Sequence, residues 1–434
     1  MFSKNILIFS IQVFVFGLLV AFYMLTINFF SKSAEQTDFY RFYKSARSFI
    51  EGKSIYTPVP FNPTAEYLNK VTEKAKATLK TLHPNLNSPF HTLSVLPFGI
   101  IPSHPAFCVW SILSLFFGLG AASLIAYSRP FHNDQTPNLL ILSIILLAYY
   151  PTWVNIRTGQ FGLFLLGLIV LVWLTSRKGK CQLAGIILGI AISVKIFVGL
   201  FLIFFAVQRR WKVLIWAMST FIFCNLISLI TFGLSTYKQH LELLAQTPLY
   251  VNASWNASFS AFFTRIFGGA ENIPLITMPM LAYGLIFSFS FLLTLGLIWV
   301  AWPRPREFSP LHRFDMGFSL TIVAMLLISP LGWMYYFPTL IISLLVAWHA
   351  SSALNYSKLF KSFLVVTWIL SSIPTTLINS EKIAMNQPMI WFTSAGYYFY
   401  ALIAFCGLLF VISHRLHAHE KPSLKPACWW RQFR

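Results

Sequence analysis

Long apolar runs separated by short polar segments dominate the chain. The runs cover residues 6–30, 104–127, 137–153, 160–176, 213–233, 276–301, 314–329, 334–349, 361–378 and 394–414. Because the hydrocarbon core of a bilayer is about 30 Å thick and a helix rises about 1.5 Å per residue, such runs predict membrane-spanning helices. The runs are continuous rather than alternating, which argues against a β-barrel. The pattern therefore predicts an all-α polytopic membrane protein with about 11 to 12 transmembrane segments.

A further apolar stretch, at 182–207, lies between a basic cluster at 177–180 and another at 209–212. Basic residues beside apolar runs favour the cytoplasmic side, and a single helix would place the two clusters on opposite sides. Two half-helices that meet near Lys195 would place both clusters on the same side, and the three glycines of the stretch permit the bend. We therefore predict a re-entrant helical hairpin over 182–207.

The largest polar region, at 31–103, is predicted to be the first extracytoplasmic loop of a single membrane domain that spans 1–414. Apolar residues recur at helical spacing from Phe39, which predicts an amphipathic helix that lies on the membrane surface and stops at Gly52. Its predicted apolar face consists of Phe39, Phe42, Tyr43, Ala46, Phe49 and Ile50, and its polar face of Arg41, Lys44, Arg47, Ser48 and Glu51. A second helical stretch is expected at about 67–79.

The charge distribution sets the expected orientation. The chain carries 32 basic and 12 acidic side chains, a formal net charge of +20, in a composition that is 57% hydrophobic. The basic residues sit in short clusters between apolar runs, as membrane orientation requires, so nucleic acid is not an expected partner. Both termini, including a basic tail at 415–434, are predicted to be cytoplasmic. A bacterial inner membrane is the expected location, with the loop at 31–103 outside.

Acidic residues are scarce, and Asp38 lies shortly after the first membrane-sized segment, three residues beyond Glu35. It stands at the start of the amphipathic helix, at the water boundary of the bilayer. One interpretation is that its carboxylate caps the helix by accepting hydrogen bonds from free backbone amides. The other is that it is a functional acid at an exterior-facing site.

Lys195 lies in the middle of an apolar stretch, where a charge is expensive and is a functional candidate by default. Its ammonium either reaches an interface by snorkelling or neutralises an anion such as a phosphate. Two outer turns, at 149–160 and 329–336, also carry polar and aromatic groups. An interfacial aromatic belt would explain the tyrosines and tryptophans of these turns but not Asn155, Arg157 or Gln160. We therefore predict an exterior-facing site at the membrane boundary.

Several short motifs occur in an order that resembles one known family. They are Tyr40 and Tyr43 after Asp38, Gly52-x-x-x-Tyr56, Asn85-Leu86-Asn87-x-Pro89-Phe90, Gly159-Gln160, Lys195-Ile196-Phe197 followed by Arg209-Arg210-Trp211, and Ser329-Pro330-x-x-Trp333. From about residue 5 to 414 the chain resembles glycosyltransferase family 87, the polyprenyl-phosphate-mannose-dependent mannosyltransferases of GT-C architecture.

The resemblance implies a membrane enzyme that transfers a hexose, most often mannose, from a polyprenyl-phosphate donor to a glycolipid or glycan acceptor. It also implies that Asp38 is the general base. The chain departs from the family pattern in having Ser88 before Pro89, where a Pro-Pro pair is common. A histidine often follows the tryptophan of the Ser-Pro-x-x-Trp turn, whereas this chain has Met334, Tyr335 and Tyr336, whose phenol groups are neutral donors.

This chemistry also fits the available side chains. A phosphate-linked sugar already carries a good leaving group, so one carboxylate suffices to deprotonate an acceptor hydroxyl in an inverting displacement. Lys195, Arg157, Tyr335 and Tyr336 are the predicted donor-phosphate ligands. Asn85, Asn87, Asn155, Gln160 and Trp333 are the predicted substrate-binding residues. No cofactor and no metal are expected.

Two other classes of function remain open at this point. A membrane transporter or lipid-linked sugar flippase would also use re-entrant half-helices and a mid-membrane lysine. The large exterior loop and the absence of recognisable internal repeats argue against it. A catalytically inactive family member that serves as an assembly factor is the other alternative.

Overall fold

A computed structural model describes residues 2–57, 85–128, 137–245, 255–268, 276–303, 310–375 and 396–418. These residues form helices joined by turns, and an isolated bridge between Asn256 and Trp333 is the β-type pairing found among them. The predicted all-α fold is therefore confirmed for the described part of the chain. The predicted helix at about 67–79 and the tail beyond 418 lie outside it.

The described α-helices are numbered here in chain order. They are α1 (Phe2–Ser31), α2 (Asp38–Ile50), α3 (Pro89–Val95), α4 (Ser103–Ser128), α5 (Leu139–Leu147), α6 (Tyr150–Thr158), α7 (Gly162–Arg177), α8 (Cys181–Val194), α9 (Leu200–Val207), α10 (Trp211–Phe232), α11 (Leu234–Ala245), α12 (Phe259–Phe267), α13 (Pro279–Ala301), α14 (Pro310–Ile328), α15 (Leu340–Ala353), α16 (Lys358–Leu370) and α17 (Tyr397–Ala418). Short 3-10 helices cover Ala34–Gln36, Leu96–Ile100, Ile196–Gly199 and Met334–Thr339.

The described helices confirm a polytopic membrane protein. Six of them are long and apolar enough to cross a bilayer, and a seventh span results if α5 and α6, which meet at a bend of 66°, are taken as one. The six are in α1, α4, α10, α13, Met334–Ala353 and α17. The predicted 11 to 12 segments counted every apolar run. Several of these runs form shorter helices, among them α7, α8 and Ile196–Val207, which explains the lower number.

The hairpin predicted at 182–207 breaks at Lys195. Helix α8 ends at Val194, Lys195 takes an extended conformation (φ −142°, ψ 106°), and the chain continues through a 3-10 turn into α9. Arg210, just after α9, donates a hydrogen bond of 2.7 Å to the carbonyl oxygen of Ser176, just before α8. The far ends of the two half-helices therefore lie at the same end of the fold.

Two of the glycines expected to permit bending serve another purpose. Helix α8 is continuous through Gly185 and Gly189, and it packs along α10 at these positions. A Cβ atom on Gly185 would lie 2.5 Å from the carbonyl oxygen of Val213, and one on Gly189 would lie 2.5 Å from that of Ala217. The glycines allow the two helix backbones to approach closely, as small residues do in membrane helix pairs.

A buried charge pair lies at the same end of the fold as the far ends of the half-helices. Arg177, the last residue of α7, forms an ion pair with Asp315 of α14. Asp315 also accepts a hydrogen bond of 2.8 Å from the indole of Trp173. These contacts join α7 to α14 beside the chain segment that enters the hairpin.

The amphipathic helix is α2, but its apolar face is covered by protein. Phe39 packs on Phe107 and Trp110 of α4, with ring centroids 5.8 and 6.2 Å apart, and Phe42 packs on Phe161 at 5.8 Å. The expectation that this face rests on the bilayer is therefore wrong. The apolar segment 89–100 folds back over the helix, which the polarity of α2 alone could not indicate.

The predicted division of α2 into two faces is only partly correct. Ser45 and Ser48 are buried, although Ser48 was placed on the polar face, and Ile50 is 47% exposed. The helix ends at Ile50, and Gly52 follows with a positive φ of 72°, so the predicted stop is confirmed. Contacts on more than one side of α2 explain why serines are buried.

Candidate active site

Asp38 is the first residue of α2, and Thr37 precedes it as the N-cap residue. One carboxylate oxygen of Asp38, Oδ2, accepts a hydrogen bond of 2.9 Å from the side-chain amide of Gln160. The other, Oδ1, lies 3.8 Å from the guanidinium of Arg41, and the side chain is 29% exposed. Within the described residues, no backbone amide donates to this carboxylate. Its described contacts are therefore with the side chains of Gln160 and Arg41, and they are not those of a helix cap.

Gln160 is brought to Asp38 by a sharp turn at the end of α6. Gly159 has a positive φ of 69°, and a Cβ atom there would lie 2.5 Å from the Cβ of Phe39. Its carbonyl oxygen accepts a hydrogen bond of 2.8 Å from the indole of Trp110. Only glycine fits both this conformation and this contact. Because Gly159 has no side chain, its backbone can lie directly against the start of α2. This contact places the amide of Gln160 next to the carboxylate.

Lys195 leaves the hairpin at its break and points into the protein. Its ammonium donates a hydrogen bond to Oδ1 of Asn87, and it lies 5.9 Å from the ring centroid of Phe42 and 5.7 Å from that of Tyr336. The hydroxyl of Ser88 donates a hydrogen bond of 2.8 Å to the carbonyl oxygen of Ser193, which ties the loop to the hairpin. These contacts are inconsistent with a snorkelling side chain.

The two tyrosines of the second outer turn lie in the 3-10 helix Met334–Thr339 and are buried. The ring of Tyr336 packs on Phe197 at 4.8 Å, and the rings of Tyr335 and Tyr336 are 4.7 Å apart. The ring of Trp333 stacks on Tyr335 at 6.0 Å. Asp38 interacts electrostatically with both tyrosines.

Asp38 also interacts electrostatically with Lys195. The structure thus brings one carboxylate, one half-buried cation and two phenol groups, Tyr335 and Tyr336, to the same region from three separate segments. The sequence singles out each segment, but only the fold brings them within electrostatic reach of one another.

Buried asparagine side chains hold the second outer turn, at 329–336, in place through hydrogen bonds to its backbone. Asn256 is fully buried; its amide donates to the carbonyl oxygen of Pro330 at 2.8 Å, and its Oδ1 accepts from the amide of Gly332 at 2.9 Å. Asn155, also fully buried, donates to the carbonyl oxygen of Tyr335 at 3.3 Å. A Cβ atom on Gly162 would lie 1.9 Å from that same oxygen, so the turn requires glycine there. The contacts of Asn155 are thus with the protein backbone.

Asn85 and Asn87 lie beside Lys195 and contact each other. Asn85 is buried, and its Oδ1 accepts from the backbone amide of Asn87 at 3.1 Å and from the side-chain amide of Asn87 at 2.7 Å. The phenol of Tyr56 donates to the carbonyl oxygen of Asn87 at 2.9 Å. The predicted substrate-binding asparagines therefore form one hydrogen-bonded unit with the predicted phosphate ligand.

Arg157 lies apart from this group. Its guanidinium stacks over the rings of Phe30 and Trp153, 5.3 Å from each centroid, at the end of α6. No contact among the described residues joins it to Asp38 or Lys195. Arg41 is the cation found beside Asp38, whereas the sequence predicts only that it lies on the polar face of α2. The sequence did contain a signal for this contact. Arg41 lies three residues after Asp38, and residues three apart on a helix are neighbours.

His91 was also missed. It is buried between Phe42 and Phe161, with ring centroids 4.7 and 4.2 Å away. Burial lowers the pKa of the imidazole well below its ordinary value, and the positive charge of Lys195 lowers it further. His91 is therefore neutral at physiological pH and adds no charge to the site.

Comparison with known proteins identifies the family. The profile of glycosyltransferase family 87 matches residues 85–330, more than half of the chain. The chain belongs to glycosyltransferase family 87. This family 87 member is therefore a membrane glycosyltransferase, as its motifs predicted. The match includes Asn87, Gln160 and Lys195, while Asp38 and the two tyrosines lie outside its limits.

Solved structures with some likeness to the family 87 chain include two of ArnT from Cupriavidus metallidurans. The structure bound to undecaprenyl phosphate is 12% identical, with a TM-score of 0.34 over 92% of this chain and 77% of ArnT. The apo structure is 14% identical, with a TM-score of 0.36 over 92% of this chain and 76% of ArnT. No curated protein matches the chain.

Proposed function

We propose that this family 87 member transfers a hexose, most often mannose in the family that it resembles, from a polyprenyl-phosphate donor to a hydroxyl of a glycolipid or glycan. In this proposal the site faces the extracytoplasmic side and Asp38 is the general base. The observation that carries it is the arrangement around Asp38. One carboxylate oxygen is held by Gln160, the other remains partly open, and Lys195 lies close enough to interact with the carboxylate.

The reaction is a single displacement at the anomeric carbon. The acceptor hydroxyl gives its proton to Oδ1 of Asp38 while its oxygen bonds to the anomeric carbon. The bond between that carbon and the phosphate oxygen breaks, and polyprenyl phosphate leaves with the bonding electrons. The ammonium of Lys195 and the phenol groups of Tyr335 and Tyr336 stabilise the charge of the leaving phosphate. Attack from the opposite face inverts the anomeric configuration.

A second cation is expected to share the phosphate, because a departing phosphate monoester carries more than one negative charge. Sequence analysis assigned this role to Arg157, whereas the geometry favours Arg41, which lies 3.8 Å from Asp38 and interacts electrostatically with Tyr335. Arg157 rests on Phe30 and Trp153 instead. No metal and no cofactor take part in the proposed step.

The two arginines can be compared directly. Arg41→Gln is expected to lower transfer from a polyprenyl-phosphate sugar by about 10- to 100-fold, because a charge-assisted contact to the phosphate is lost. Arg157→Gln is the matched variant, and we expect less than about a threefold change, since no described contact joins Arg157 to the site. Initial rates at a subsaturating donor concentration measure both. A larger loss in Arg157→Gln than in Arg41→Gln would return the phosphate role to Arg157.

The experiment that tests the function uses the purified protein in lipid nanodiscs. A polyprenyl-phosphate mannose labelled in the sugar is supplied together with a lipid extract from the source membrane as acceptor. The expected result is labelled glycolipid or glycan, with release of polyprenyl phosphate. A parallel reconstitution in sealed vesicles tests the flippase alternative, which the broken hairpin at 182–207 also fits. Movement of intact donor across the vesicle bilayer without any sugar transfer would identify that alternative.

A further inference from the structure

Four polar side chains form a directional chain of hydrogen bonds that ends on Lys195. The side-chain amide of Asn85 donates to the hydroxyl of Thr92 at 3.1 Å. Oδ1 of Asn85 accepts from the side-chain amide of Asn87 at 2.7 Å, and Oδ1 of Asn87 accepts from the ammonium of Lys195. Each carboxamide thus has both of its ends occupied.

The direction of this chain is fixed at one point by the backbone. The amide N–H of Asn87 can only donate, and it donates to the side chain of Asn85 at 3.1 Å. Asn85 must therefore present its oxygen there, because its NH2 group cannot accept. The same oxygen then attracts the NH2 group of Asn87 and leaves the oxygen of Asn87 for Lys195. An ammonium can only donate, so the fixed orientation is the one that Lys195 requires.

The amide that holds Lys195 is neutral, and so are the two aromatic rings that its ammonium faces. The ammonium faces the rings of Phe42 and Tyr336, which attract a cation without cancelling its charge. The charged or titratable groups that face it from other segments are Asp38, the neutral His91 and the phenol of Tyr336. A carboxylate in place of the Asn87 amide would hold the ammonium equally well but would neutralise it.

We infer that Asn85 and Asn87 are positioning residues for Lys195, and that they hold its ammonium through a neutral oxygen so that its charge remains available to the donor phosphate. This inference rests on the proposed function, because it names Lys195 as the phosphate ligand. It replaces the expectation that the two asparagines bind the substrate directly. The charge of the side chain at position 87 is then expected to determine how tightly the donor phosphate binds.

The test compares Asn87→Asp with Asn87→Ala. If Asn87 positions Lys195, the aspartate variant is the more damaged of the two, because it adds a charge that competes with the phosphate, whereas alanine only removes a support. If Asn87 binds a sugar hydroxyl, neither substitution should weaken the binding of a lipid phosphate that carries no sugar, because the hydroxyl that Asn87 would contact is absent. The two roles therefore predict different results for such a ligand.

The measured quantity is the binding of undecaprenyl phosphate, which carries no sugar, to the purified protein in nanodiscs. We expect the dissociation constant to rise about tenfold or more in Asn87→Asp and less in Asn87→Ala, with similar thermal unfolding temperatures for both. Asn85→Ala, which frees the amide of Asn87 to rotate, should give a smaller rise in the same direction. Because this readout requires no transfer, it is independent of the acceptor.

Each outcome has one meaning. Unchanged undecaprenyl phosphate binding in Asn87→Asp, with wild-type binding intact, would overturn the positioning role alone. Weaker binding in Asn87→Ala than in Asn87→Asp would do the same. Failure of the wild-type protein to bind undecaprenyl phosphate at all, while Lys195→Met behaves identically, would overturn the proposed donor class and the inference together.

Discussion

Replacement of Asp38 by asparagine separates a helix cap from a general base. Asparagine is nearly as good a cap as aspartate, so a capping role predicts an almost silent change. In the structure the N-cap residue is Thr37, and the Asp38 carboxylate accepts a hydrogen bond from the side chain of Gln160. Asparagine preserves the shape and still offers an oxygen to that amide, but it cannot take up a proton.

The two effects differ widely in size. The hydrogen bond from Gln160 becomes neutral in Asp38→Asn, which costs about 1 kcal/mol of folding stability. Loss of the base is expected to lower the transfer rate by a factor of about 100 to 10,000. At about 1.36 kcal/mol per tenfold change in rate, this corresponds to about 2.7 to 5.4 kcal/mol of activation free energy. The expected loss of activity is therefore several times larger than the expected loss of stability.

The assay measures sugar transfer from a saturating polyprenyl-phosphate donor at matched concentrations of folded protein. Glu51→Gln is the matched control, since it removes the same charge from the far end of α2, about 20 Å away by helix rise. Glu51 is exposed and forms ion pairs with Arg47 and Lys53 at the surface, so its variant should transfer sugar at the wild-type rate. A rate for Asp38→Asn within about threefold of wild type would refute the assignment of the base.

Further predictions concern the supports of the site and the hairpin. Gly162→Ala should lower the stability of the protein by about 1 to 3 kcal/mol or more, because the new methyl group would meet the carbonyl oxygen of Tyr335. Gly120→Ala is the matched control. The space around Gly120 is open, so this variant should unfold at the same temperature as the wild type or at a higher one. Equal unfolding temperatures for the two variants would contradict the close approach. Cysteines introduced at Lys180 and Lys212 of a cysteine-free variant should react with an impermeant thiol reagent from the same side of the membrane. Reaction from opposite sides would require a single span across 182–207.

Much of the fold could be predicted because apolar surface and charge are both strongly constrained in a membrane. The break at Lys195 followed from a charge inside an apolar stretch between two basic clusters, and the structure has it at that residue. The helix at Asp38 followed from its periodicity and its glycine stop. Both predictions depend on short-range patterns that need no knowledge of distant contacts.

The partners of the site residues could not be predicted, because they depend on contacts between distant segments. The polar face of α2 appeared solvated, so Arg41 was not assigned to the site. Arg157 was assigned because it stood in a polar outer turn, yet its guanidinium lies over two aromatic rings. The direction of the hydrogen bonds between Asn85 and Asn87 is set by one backbone amide, and no sequence pattern records it.

The wide separation of the site residues along the chain has a consequence for biosynthesis. Asp38 emerges from the ribosome early, but its hydrogen-bond donor Gln160 is 122 residues later, and Asn87 is 108 residues ahead of Lys195. Tyr335 and Tyr336 come later still, after α14. A nascent chain therefore reaches the membrane with Asp38 and Arg41 in place but without Lys195 and the two tyrosines of the proposed phosphate site. If the proposed chemistry is correct, translation must proceed through residue 336 before it can begin, and incomplete chains would not consume a lipid-linked donor.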